Sequence, residues 1–110
     1  MNKTVDQNIT ESSGNVFADL GLENAEELHA KGMLALTILG IIDDRQLTQS
    51  EAAEFLGTDQ SHISRLKRGH IEGFTFDRLL NWLTKFDRNI QLSIKPKPKH
   101  QEKACIQVAL

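Results

Sequence analysis

The 110-residue chain is poor in several of the things that give small proteins a chemistry. It has one cysteine, Cys105, so no intrachain disulfide can form and a reducing cytosol is the expected compartment. Its longest apolar run, GMLALTILGII at 32–42, covers 11 residues including Thr37; that run is too short for a bilayer and lacks the flanks of an N-terminal signal peptide. The four histidines, His29, His62, His70 and His100, lie without metal-ligand spacing. Ser61–His62 and Ser64 do not make a nucleophile, because successive helical side chains diverge by about 100° and no nearby carboxylate orients the histidine. Asp43–Asp44 reads as a solvated helix end. No phosphate-cradling glycine loop and no internal repeat is present. Neither enzyme chemistry nor a cofactor or metal is expected, and no membrane partner.

What is present suits one globular domain: 39% apolar and 25% charged residues. The net charge of −2 hides an asymmetry. Residues 1–44 hold two lysines against eight Asp/Glu (−6), whereas residues 62–100 hold nine Lys/Arg against Glu72, Asp77 and Asp87 (+6). Such a split suits two different partners, or one basic face on a mildly acidic protein.

Along the chain, MNKTVDQNITESSG (1–14) reads as a flexible polar tail. Val16, Phe17 and Leu20 in NVFADLGL (15–22) are expected to pack down. A long helix should begin at Asn24, with Glu26 and Glu27 at the positive end of its dipole, and run to Asp44 or Arg45. Leu28, Ala35, Ile38, Leu39 and Ile42 would form its buried stripe. Thr48 and Glu51 form a T-x-x-E capping box, starting a second helix that Gly57 ends. Asp59 should cap a third helix, Gln60 to Arg68, stopped by Gly69. A fourth starts after Thr75, with Phe74 and Leu79 as a hydrophobic staple. Phe76, Leu79, Leu80, Leu83 and Phe86 would line its apolar face, with Trp82 on its flank. Arg78, Lys85 and Arg88 read as a solvated face.

The period then changes. NIQLSIK (89–95) alternates Ile90, Leu92 and Ile94 with polar residues, as a half-buried strand does. PKPKHQE (96–102) cannot continue it, and KACIQVAL (103–110) offers a weaker alternation. The two would form a hairpin needing the helical body or a second subunit for support.

The stretch LTQSEAAEFLGTDQSHISRLKRG (47–69) carries the function. With Ala52, Ala53, Leu56, Ile63 and Leu66 inside, two short helices cross over a tight turn at Gly57–Thr58. Helix three then turns Gln60, Ser61, Ser64, Arg65 and Arg68 to one exposed side. A B-DNA major groove admits one helix, and Gln, Ser and Arg are able to read base edges there.

These residues resemble the helix-turn-helix of the Cro/phage-repressor (XRE) family. The shared pattern stands here as Leu47, Thr48, Gln49, Glu51, Ala52, Ala53, Leu56, Gly57, Gln60, Ile63, Ser64, Arg65, Leu66, Arg68 and Gly69. The order of NVFADLGL, AEEL, this motif and FTFDRLLNWLTKFDRNIQLSIKP is similar to the HigA-like antitoxin branch. The resemblance implies a mainly α, four- to five-helix phage-repressor-like domain with a short C-terminal β-strand or hairpin. Its expected parts are a tail at 1–14, a helical domain at 15–88 with the motif at 48–68, and a dimerising segment at 89–110. It further implies a repressor that binds a double-stranded DNA operator as a homodimer, with a toxin protein as a further partner. A stand-alone regulator or a protein-interaction module is the alternative. Gln49 would hold a phosphate and buttress Gln60, which would read a base; Ser61, Ser64, Arg65 and Arg68 complete the DNA-binding set. Thr48, His62 and Lys67 would add phosphate contacts. Trp82, Ile90, Leu92 and Ile94 form the expected dimer interface, with helix four as the competing surface. Two positions depart from the family pattern: Thr58 replaces the usual Val or Ile, and Asp59 sets a negative charge at the DNA-facing end of helix three.

Overall fold

The computed structural model of the chain describes residues 24–110. Its helices are α1 (Asn24–Asp44), α2 (Gln49–Leu56), α3 (Gln60–Lys67) and α4 (Phe76–Lys85). The tail expected at 1–14 and the packing expected of Val16, Phe17 and Leu20 lie outside the described residues.

α1 is described from Asn24 and carries Glu26 and Glu27 in its first turn. Its buried face is broader than the expected stripe. Ala30, Leu34, Ala35, Ile38, Ile41 and Ile42 are all buried, while Leu28 and Leu39 are half-buried. Lys31 goes in with them at 2% exposure. Its Nζ lies 2.7 Å from the Glu27 carboxylate, one turn earlier, and 5.7 Å from the centre of the Phe76 ring. A buried ammonium is tolerable only with such partners. α1 packs on α4 and, less extensively, on α3, while α2 and α3 pack on each other.

All four helices end in the same way. Gln46, Gly57, Gly69 and Asp87 sit in left-handed backbone, with φ of 58°, 72°, 82° and 65°. At each end that residue and its successor donate N–H to carbonyls of the last turn. The bonds run from Gln46 to Asp43 and Leu47 to Ile42, from Gly57 to Glu54 and Thr58 to Ala53, from Gly69 to Leu66 and His70 to Arg65, and from Asp87 to Thr84 and Arg88 to Leu83. These are Schellman motifs, which satisfy carbonyls that a helix end leaves open.

The starts differ more. The Thr48 hydroxyl accepts the Glu51 N–H at 3.0 Å, and the Thr48 N–H donates to the Glu51 carboxylate at 2.8 Å, completing the capping box. The Thr75 hydroxyl accepts the Arg78 N–H, and the flanking Phe74 and Leu79 are both buried. Asp59 has the extended backbone of an N-cap, but its carboxylate makes no capping hydrogen bond, so the expected cap is only positional. α3 also ends at Lys67, with Arg68 as its C-cap residue.

No strand occurs among the described residues, so the hairpin expected at 89–110 is not formed. A strand needs a neighbour for its N–H and C=O groups, and Pro96 and Pro98 each remove a donor between the two candidate segments. A turn follows, with the Gln101 N–H donating to the Pro98 carbonyl. The chain end then returns to the helices, where Val108 packs against the core. An apolar cleft of about 420 Å³ separates this returning segment from Leu34, Phe76, Leu80 and Leu83.

Candidate nucleic-acid interface

Two residues fix how α3 is presented. Ile63 and Leu66 are each 1% exposed and tie one side of α3 into the core against Ala52, Ala53 and Leu56 of α2. Side chains at the other helical positions must then face outward. Gln60, Ser61, Arg65 and Arg68 are exposed and Ser64 is half-buried. Small Ala52 and Ala53, both buried, let the two helices approach closely at the Gly57 turn.

The expected site residues fall into two groups. Gln49 opens α2 and Gln60 opens α3, and with Ser61, Ser64 and Arg68 their side chains make no hydrogen bond among the described residues. The Gln49–Gln60 buttress is therefore not made in the free chain, and both amides remain available. Lys67 is exposed as well. Thr48 and His62, expected at phosphates, are already engaged: Thr48 in the capping box, and His62 through Nδ1 with the Thr58 hydroxyl at 2.7 Å. Thr58, at a position where the family pattern has an apolar side chain, thus closes the turn with a hydrogen bond. His62 is also turned edge-on to Phe74 at 6.3 Å between ring centres.

Arg78, Lys85 and Arg88, expected as a solvated face, are exposed, and each also makes a contact within the protein. Lys85 Nζ donates to the Leu56 carbonyl at 3.0 Å, pinning the end of α2 to α4. Arg88 donates to the Phe86 carbonyl. Arg45 donates to that carbonyl too, and its guanidinium lies 5.0 Å from the Phe86 ring centre and 5.6 Å from that of Phe55. Arg78 lies 5.9 Å from the centres of both Phe74 and Trp82.

Sequence reasoning missed the hub of this region. Phe74 is 2% exposed and touches Trp82 in a T-shaped pair at 5.7 Å, with Arg65 at the same distance from its ring centre. These partners come from α3 and α4, on either side of the loop that carries Phe74. Only the staple role of Phe74 was legible locally; nothing in the spacing of Arg65 and Phe74 signals their contact. Trp82, expected at the dimer interface, is 3% exposed and belongs to the core. Ile90, Leu92 and Ile94 are exposed, Ile94 almost fully. No group of three or more candidate metal ligands converges among the described residues, and no helix among them is long and apolar enough to cross a membrane.

Residues 16–95 match a family model described as a helix-turn-helix domain. No curated protein matches the sequence. A solved chain named "Putative XRE Family Transcriptional Regulator" is 34% identical, with a TM-score of 0.72 over 80% of this chain and 99% of its own length. The likeness runs through the α2–α3 corner and the helices that brace it, and the chain belongs to the XRE-type helix-turn-helix family.

Proposed function

We propose that the chain is a sequence-specific DNA-binding transcriptional repressor that docks α3 in the major groove of its operator. One observation carries the reading: α3 is held by Ile63 and Leu66 on one side and leaves Gln60, Ser61, Ser64 and Arg68 without a protein partner on the other. Gln60 reads a base edge, while Gln49, Arg68 and Lys67 hold phosphates. The repressor acts as a homodimer, since one helix in one groove gives a small contact and related motifs use paired half-sites. Exposed Ile90, Leu92 and Ile94 supply the surface for a second copy.

Binding to duplexes of the chain's own promoter, varied one base pair at a time, tests this. Gln60→Ala should cost about 1–3 kcal/mol on the preferred operator and flatten preference at one base pair. Uniform weakening on every duplex would remove Gln60 from base reading.

A second reading extends the first: the chain is also the antitoxin of a type II toxin–antitoxin pair and neutralises a small basic ribonuclease. The acidic residues of 1–44 favour it, because α2 and α3 are committed to DNA and a basic partner would be steered to the opposite sign of charge. A ribonuclease encoded beside this chain should co-purify with the Gln60→Ala variant. A stand-alone regulator would have no such neighbour.

A further inference from the structure

We propose that Gly73 and Phe74 are positioning residues for Arg65, fixing its guanidinium for DNA reading before DNA arrives. The proposal rests on the DNA-binding reading above and adds to it a residue pair outside the helix-turn-helix. Arg65 projects from the middle of the exposed side of α3, and its guanidinium carbon lies 5.7 Å from the centre of the Phe74 ring. That ring cannot easily yield. It is buried, set edgewise against Trp82, and flanked by His62, which the Thr58 hydroxyl holds in turn. Arg78 lies over the same ring at 5.9 Å, and no carboxylate pairs with Arg65 among the described residues. An aromatic ring attracts the cation without consuming any of its five N–H donors. Arg65 is therefore held in place yet chemically unspent.

Gly73 makes the room. A Cβ there would stand 3.0 Å from Arg65 Nη2, and Gly73 does not share the left-handed backbone of Gly57 and Gly69. Its backbone therefore accepts an L-residue, and a side chain added there must displace the guanidinium. Recognition geometry tolerates about 0.5 Å of displacement, so a methyl should shift Arg65 to the edge of that range and a branched side chain beyond it.

The test uses the full chain and the panel of promoter duplexes, read by fluorescence anisotropy, with circular dichroism melts alongside. Gly73→Ala should weaken the preferred duplex by a few-fold and Gly73→Val by about tenfold, with melting little changed. Both should relax discrimination at the base pair that Arg65→Ala relaxes. In an Arg65→Ala background neither should weaken binding further. Phe74→Leu will lower stability, but its effect on base preference should likewise vanish in that background. Additive losses, a uniform loss on all duplexes, or unchanged preference in Gly73→Val would each overturn the positioning role. A wild-type chain that shows no preference among duplexes would instead sink the DNA-binding reading itself.

Discussion

The α2–α3 corner and the C-terminal segment 89–110 carry comparably clear sequence patterns, yet only the first becomes regular structure. In the corner, the backbone groups that close the helix ends find partners within a few residues: Thr48 with Glu51, Thr58 with Ala53, His70 with Arg65. Its apolar residues meet across a short turn. The alternation of Ile90, Leu92 and Ile94 has no such closure, because a strand's partner lies elsewhere in the chain or on another molecule. Periodicity states which face wants burial. It does not supply the neighbour that buries it.

Removing apolar side chains should break that comparison most visibly. Ile63 is 1% exposed at the α2–α3 contact and Ile94 is 94% exposed. Ile63→Ala should lower unfolding free energy by about 2–5 kcal/mol, a large share of what a domain of this size has. Ile94→Ala should change it by less than about 0.5 kcal/mol when measured by chemical denaturation in dilute solution. A cost for Ile94→Ala that grows with protein concentration would show that the segment is buried by association.

The C-terminal segment is where a second copy should restore the missing neighbour. Leu92 is 74% exposed and borders the cleft left by the returning chain end. Leu92→Lys should give a monomer in analytical ultracentrifugation, keep the helical circular dichroism, and weaken operator binding by at least about tenfold through loss of the paired half-site. A dimer of undiminished strength would move the interface to α4 or elsewhere, and Trp82 would not be part of it, since it is already spent in the core.

The same contrast between local and distant closure decides what was legible beforehand. Two of the four helix stops were glycines, and both were read; Gln46 and Asp87 adopt the same left-handed geometry without the glycine that advertises it. The outward-facing polar residues of α3 were legible because they follow from Ile63 and Leu66 by helical period alone. The Phe74 hub was not, because Arg65, Arg78 and Trp82 reach it from separate elements. Burial of Lys31 was hidden as well. Its partner Glu27 was in plain sight one turn away, but the Phe76 ring that covers it comes from α4.

The smallest expected effects come from the starts of α2 and α3, which differ in the two side-chain hydrogen bonds of the capping box. Thr48 is bonded reciprocally with Glu51, whereas Asp59 holds the cap backbone without using its carboxylate. Thr48→Ala should therefore cost about 1 kcal/mol of stability, and Asp59→Ala a few tenths, retained largely through the charge beside the α3 dipole. On DNA the order should reverse. Asp59 precedes Gln60 at the end of α3 that would enter the groove, where its negative charge opposes phosphates. Asp59→Asn should keep the fold and tighten binding to all duplexes by a few-fold at low salt, with the gain shrinking as salt rises. A gain confined to one base pair would mean that Asp59 reads sequence, and a loss on every duplex would mean that its carboxylate caps α3 once DNA is bound.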